Sequence, residues 1–334
     1  MRIVDAHLDL AYNAVNGGRD VTRPAREQSA KDPTDTPSVG LPDLVAGNVG
    51  LVCATIFCDP QLGDCPGYRT ADEAAAQARA QLEWYYRQFA EGSLEMVTTR
   101  DQVTAREPGK TGAILLMEGA DPLRSADDVA EWFDAGLRIV GLAWRRTRMA
   151  GGTGEPGGLT EDGRTIVDAL DRHGIVHDAS HLAEQAFWEL LDRSTGPVIA
   201  SHSNCRAIVP TDRQLSDDMI KEIARRGGVI GINFYEKFLL RPGEFNVRRA
   251  TLVDVVTHLK HICDLIGDAT HVGLGTDMDG GFGAERIPTE LKTSADLPRV
   301  AEALSAGGFS DADVTNIMGA NWSRFFAQNL SDKT

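Results

Sequence analysis

Residues 162–202 read DGRTIVDALDRHGIVHDASHLAEQAFWELLDRSTGPVIASH, and they carry a repeating grammar. Asp162–His173 spaces its apolar residues at helical intervals and stops at Gly174. A short β-branched run follows, Ile175–Ala179, and then Ser180 and His181. Ala183–Arg193 is again amphipathic, Gly196 stops it, and Val198–Ser201 leads into His202. Helix, strand, helix, strand, each strand short and apolar, predicts parallel strands joined by helical crossovers. In both places a serine stands directly before a histidine at the strand's end.

The same rhythm extends outward in both directions. The other candidate strands are Arg2–Asp5, Gly50–Phe57, Ala113–Met117, Arg138–Ala143, Val229–Asn233 and His271–Thr276. The other helical stretches are Thr70–Glu91, Ser125–Ala135, Ser216–Arg226 and Thr251–Ile266, with Gly136 and Gly227 at two helix stops. Eight alternations predict an α/β fold of the (β/α)8 TIM-barrel type, with an open doubly wound sheet as the alternative. The chain of 334 residues suits one such barrel, which needs about 250 plus insertions. The expected organisation is a single catalytic domain over residues 1–334. A loop insertion lies around 19–48 and a C-terminal helical segment around 310–328. Arg145–Leu159, with five glycines, reads as a flexible active-site loop.

Bulk properties narrow the function. A net charge of −15 disfavours nucleic acid as a partner. No apolar run approaches the roughly 18 residues of a membrane helix, so no membrane association is expected. The N-terminus lacks a signal-peptide pattern, which predicts a cytoplasmic protein. The five cysteines, Cys53, Cys58, Cys65, Cys205 and Cys263, show no CxxC spacing. The glycines after the fourth strand lack the arrangement of a dinucleotide or phosphate loop, which speaks against a redox or nucleotide-binding protein.

Six groups that can bind metal or move protons fall at the predicted carboxyl ends of strands: His7, Asp9, Glu118, His181, His202 and Asp277. That rim is where β/α barrels build active sites. Residues two apart in a strand share a face, so His7 and Asp9 are expected on one side. Glu118 ends the run Ala-Ile-Leu-Leu-Met, and a carboxylate there is costly to bury unless paired or ligated. Two imidazoles and a carboxylate whose two oxygens can bridge suit zinc. No GxSxG turn supports a serine hydrolase. Asp277 is the candidate proton carrier, with Asp279 its rival. His173, His177, His258, His261 and His271 read as structural or surface residues.

These motifs resemble the membrane (renal) dipeptidase family, the M19 metallopeptidases, within the amidohydrolase-like metal-dependent hydrolases. Asp5-Ala-His7-Leu-Asp9-Leu resembles its opening motif, Met117-Glu118-Gly119 its EG motif, and Gly158-Leu-Thr the segment leading into the next helix. Asp178-Ala-Ser-His181 and Ser201-His202-Ser203 resemble its two serine–histidine motifs. Asn233-Phe-Tyr235, Gly275-Thr-Asp277-Met-Asp279-Gly280 and the C-terminal Gly319-Ala-Asn321-Trp-Ser-Arg324-Phe-Phe also match.

The resemblance implies a binuclear zinc dipeptidase, with other divalent transition metals able to occupy such a site. His7 and Asp9 would hold one ion, His181 and His202 the other, and Glu118 would bridge. Asp277 would shuttle the proton, Arg213 would bind the substrate carboxylate and Tyr235 would line the pocket. It also suggests a D-residue at the C-terminal position of the dipeptide and leaves room for a homodimer, although no stretch marks an interface. Trp144 stands where renal members carry a histidine that helps stabilise the oxyanion. Arg145, Arg146 and Arg148 follow, either to meet an acidic substrate group or as a solvated basic loop. Two further readings stay open: a hydrolase of the same metal chemistry acting on another amide, lactone or cyclic imide, and an inactive barrel serving as a binding protein.

Overall fold

The computed structural model describes residues 2–29, 35–105 and 109–330. Part of the predicted insertion, residues 30–34, lies outside them. Eight parallel strands form the barrel: β1 (Ile3–Leu8), β2 (Val49–Phe57), β3 (Gly112–Glu118), β4 (Leu137–Gly141), β5 (Val176–Asp178), β6 (Val198–Ile199), β7 (Ile230–Ile232) and β8 (Val272–Leu274), and a two-residue strand, Glu95–Met96, pairs in parallel beside β3. They pair in chain order, and β8 returns to β1. A parallel bridge between Ala200 and Ile230 joins β6 to β7 and completes the circle. The barrel expectation holds, and the open sheet is set aside.

Every residue of β1 to β4 is buried, because a barrel strand has one face inside and the other under helices. Leu51, Cys53, Ile114, Leu116, Ile139, Val176 and Ile199 cluster with Trp322, Phe325 and Phe326 of the C-terminal helix Asn321–Asn329. That helix is tied to the end where strands begin: Asn321 Nδ2 donates to the Ala269 and Val272 carbonyls. The apolar interior thus fills one end, and polar groups collect at the other. Gly136, Gly174 and Gly227 take positive φ as helix stops, but Gly196 does not, because the preceding helix has already ended at Arg193.

One expectation needs correction. Arg145–Leu159 is not an open flexible loop: within it Ala150–Gly152 and Glu155–Leu159 pair as an antiparallel hairpin. Its glycines serve close approach, since a Cβ on Gly151 would lie 2.5 Å from the Gly157 nitrogen. Arg146 braces this hairpin through the Pro156 carbonyl, and Arg148 donates to the Leu123 carbonyl. The expectation that His7 and Asp9 share a side holds, with Asp9 Oδ2 3.6 Å from His7 Nε2. β1 ends at Leu8 with an irregular register after Asp5, and Asp9 leads at φ −83°, ψ 49° into the helix Leu10–Val15.

Candidate active site

A cavity of about 260 Å³ opens at the carboxyl end of the barrel. Asp9, Glu118, His181, His202 and Asp277 line it, as do Trp144 and Tyr235. His7 is fully buried immediately behind, its Nε2 3.6 Å from Asp9, 3.8 Å from Glu118 and 3.9 Å from Asp277. All six strand-end groups therefore converge.

Local strain marks the same place. Four non-glycine residues have positive φ among the described residues, and three of them are His181, Asp277 and Asp279. Such conformations cost of order 1–3 kcal/mol and persist only where surroundings enforce them. Gly280 packs so closely under Asp277 that a Cβ would lie 1.8 Å from its Oδ1.

Hydrogen bonds fix the imidazoles. Ser201 Oγ donates to Asp178 Oδ2 at 2.5 Å and lies 2.7 Å from His202 Nδ1. With its one proton committed, the hydroxyl accepts from Nδ1–H. His202 therefore presents a bare Nε2. His181 Nδ1 lies 3.1 Å from Thr153 Oγ1, on the hairpin, and its Nε2 points to the same place as that of His202.

Three polar atoms face one another: His181 Nε2 and His202 Nε2 are 3.0 Å apart, and Glu118 Oε1 is 3.1 and 3.2 Å from them. His202 Nε2 has no proton to give. Glu118 Oε1, His7 Nε2 and Asp9 Oδ1 are buried without a hydrogen-bond partner. A tetrahedral zinc with bonds of about 2.0–2.1 Å spaces its ligands by roughly 3.3 Å, so a cation fits among these atoms. Glu118 turns Oε1 to His181 and His202 and Oε2 to His7, the posture of a shared ligand. The donor set fits a metal pair. His7, His202 and Asp277 form a third metal-competent group, so geometry alone also permits Asp277 as a ligand.

The electrostatics agree. Burial works against the His7 imidazolium, but Glu118, Asp9 and Asp277 outweigh it and lift its pKa to about 10. Burial raises the Glu118 carboxyl, against the pull of His7, with Asp9 and Asp277 adding to the rise. Burial, then Arg213 and His7, push His181 well down, and burial, His7 and Arg213 do so for His202. Metal ligation needs neutral imidazole and ionised carboxylate. Zinc loading near neutral pH is therefore expected to release the proton that His7 holds. Titration calorimetry in buffers of different ionisation enthalpy is expected to show net release of about one proton or more per chain; zero release or net uptake would contradict this charge state.

The rival aspartates are now distinguishable by place. Asp279 is locked away from the cavity, accepting from Ser38 N and Oγ and Val39 N and pairing with Arg19 at 3.2 Å. It anchors the insertion. Asp277 lines the cavity, with Oδ2 held by Asn233 Nδ2 at 2.8 Å. Arg213 is buried but is not in the cavity wall: its Nη atoms donate to Ser203 Oγ and the His202 carbonyl, while its Nε has no partner among the described residues. Tyr235 stacks on Phe282 at 4.4 Å in one wall, and Trp144 packs edge-on to Phe57 at 5.2 Å in another. Arg145, Arg146 and Arg148 do not line the cavity.

Sequence reasoning quoted Asp5, which accepts from His7 N and Thr276 Oγ1, and Asp178, Ser201 and Asn233 as motif members without giving them a role, and it missed Thr153. Replacing Ser201 by Ala should leave His202 Nδ1 without its acceptor. Metal affinity is then expected to fall about 10- to 100-fold, measured by chelator competition. An unchanged affinity would show that the serine does not orient the ring.

Comparison with known proteins places these features in company. The family model described as membrane dipeptidase (peptidase family M19) matches residues 1–334. Dipeptidase tcpJ of Claviceps purpurea is 29% identical over 301 residues, covering 85% of this chain and 67% of that protein. A metallo peptidase from Rhodobacter sphaeroides, solved with a phosphinate mimic of the dipeptide L-Ala-D-Ala, superposes with a TM-score of 0.83 at 27% identity, covering 99% of both chains. The solved dipeptidase AC, a metallo peptidase of family M19, superposes equally well at 26% identity and 99% coverage of each chain.

Proposed function

The chain belongs to the membrane dipeptidase family, peptidase family M19, and from that premise we propose that it hydrolyses the amide bond of small dipeptides with a pair of zinc ions. The observation that carries this reading is Glu118, buried between His181 and His202 on one oxygen and His7 on the other. His7 and Asp9 would hold one ion, His181 and His202 the second, and Glu118 both. Such a pair acidifies water and polarises a carbonyl oxygen.

The rest is work for the chain's own side chains. Asn233 fixes one oxygen of Asp277 and leaves Oδ1 toward the cluster, 3.9 Å from His7 Nε2. Asp277 takes the proton of the attacking water as the C–O bond forms, and gives it to the leaving amine as the peptide C–N bond then breaks. The indole N–H of Trp144 is a donor that can meet the oxyanion but carries no charge. Arg213 sits behind His202 and Phe238, and its field favours the substrate carboxylate at that end. The small cavity suits a small substrate. The ligand of the Rhodobacter sphaeroides relative supports a D-residue at the C-terminal position.

Among the described residues no helix is long and apolar enough to cross a membrane. The test is a panel of L-Xaa-D-Xaa and L-Xaa-L-Xaa dipeptides with zinc-loaded protein. Expected is cleavage that chelation abolishes, with L-Xaa-D-Xaa preferred. Bound zinc with no dipeptide cleaved would sink the dipeptidase reading and favour another amide, lactone or cyclic imide, with Trp144 marking the divergence.

A further inference from the structure

One cavity carboxylate is used neither by the metal cluster nor for proton transfer. Asp59 lies two residues past the end of β2, half-buried in the wall. Tyr12 Oη donates to its Oδ2 at 2.6 Å. Among the described residues no cationic side chain pairs with it. Tyr12 rests edge-on against Phe57 at 5.4 Å, Phe57 against Trp144 at 5.2 Å, and Trp144 stands 6.3 Å from His181. One continuous wall therefore leads from the Asp59–Tyr12 pair to the candidate metal cluster.

The opposite side is polarised the other way. Arg213 donates to the His202 carbonyl and lies 5.3 Å from the Phe238 ring, which lines the cavity. Negative charge thus stands on the β1–β2 side and positive charge behind the β6–β7 side. A zwitterion with an ammonium at one end and a carboxylate at the other matches this field in one orientation only.

Resting on the dipeptidase reading, we propose that Asp59, aimed by Tyr12, binds the free α-ammonium of the substrate and selects dipeptides with an unblocked N-terminus. The N-terminal residue then lies along Phe57 and Trp144, and the C-terminal residue points toward Tyr235 and Phe238. Asp59 is a specificity residue: it touches the substrate but not the scissile bond. Asparagine at this position keeps an oxygen to accept from Tyr12 and removes only the charge.

Binding is read by calorimetry on the zinc-loaded chain in an Asp277→Asn background, with L-Ala-D-Ala and its N-acetyl derivative. Asp59→Asn is expected to weaken the free dipeptide roughly 10- to 100-fold, the scale of a hydrogen bond to a charged group, and to leave the acetylated one unchanged. In the turnover-competent enzyme the same variant should raise KM for L-Ala-D-Ala with kcat little altered. Tyr12→Phe, which keeps the charge and loses the aim, should have a smaller effect in the same direction. Equal loss of both ligands, or loss of neither, overturns the assignment of Asp59 while leaving the dipeptidase reading intact. If the protein with Asp59 in place neither binds nor cleaves any dipeptide, the dipeptidase reading fails and this inference with it.

Discussion

Glu118→Gln is expected to reduce dipeptide hydrolysis by about 10³-fold or more, the scale of removing a principal electrostatic element from an active site. Glu118 Oε1 completes a triangle with His181 and His202, while Oε2 faces His7. A glutamine offers one carbonyl oxygen and one NH2. Whichever way it turns, one face of the bridge becomes a donor and cannot ligate. Metal content measured on the same sample should therefore fall. Folding is not the expected cause of the loss. Burial opposes the ionised Glu118, so a neutral amide of the same shape removes a buried charge from the metal-free protein, which offsets the lost attraction to His7. Thermal unfolding of the metal-free variant should show no loss of stability. Full metal content with full activity would mean that Glu118 bridges nothing.

Asp277→Asn is the second large effect, with an expected fall in kcat of about 10²- to 10⁴-fold, the usual worth of a general acid–base group. Here metal content should stay at the wild-type level. The pairing of low turnover with intact metal decides between two roles that geometry leaves open, because Asp277 also stands with His7 and His202 as a third group of potential ligands. If the variant loses metal in proportion to activity, Asp277 is a ligand and the proton carrier must be sought elsewhere. The amide keeps an oxygen to accept from Asn233 Nδ2, so the strained loop has no reason to move.

Much of this was readable before any coordinates. Short β-branched runs between amphipathic stretches specify barrel strands because burial on both faces leaves little choice of residue. The strand ends then locate His7, Glu118, His181, His202 and Asp277 by counting. Glycines misled at 145–159: read as freedom, they are instead the means by which two strands pack closely, and that hairpin delivers Thr153 to His181. The roles of the supports were invisible for a different reason. Ser201 orients His202 only because Asp178, 23 residues away, claims its proton, and Asn233 meets Asp277 across 44 residues. Nothing local in the sequence records such pairs. Asp59 is a milder omission, since it follows Phe57 at the end of β2 and the rule that selected the other residues applied equally there.

The central claim is a two-ion centre that carries dipeptide hydrolysis. It is tested most directly by adding zinc stepwise to metal-free protein while following L-Ala-D-Ala cleavage and bound metal together. Activity should climb with loading and level off at about two ions per chain, the stoichiometry of a bridged pair. Full activity at one ion per chain, or turnover that persists in the chelated protein, would contradict it.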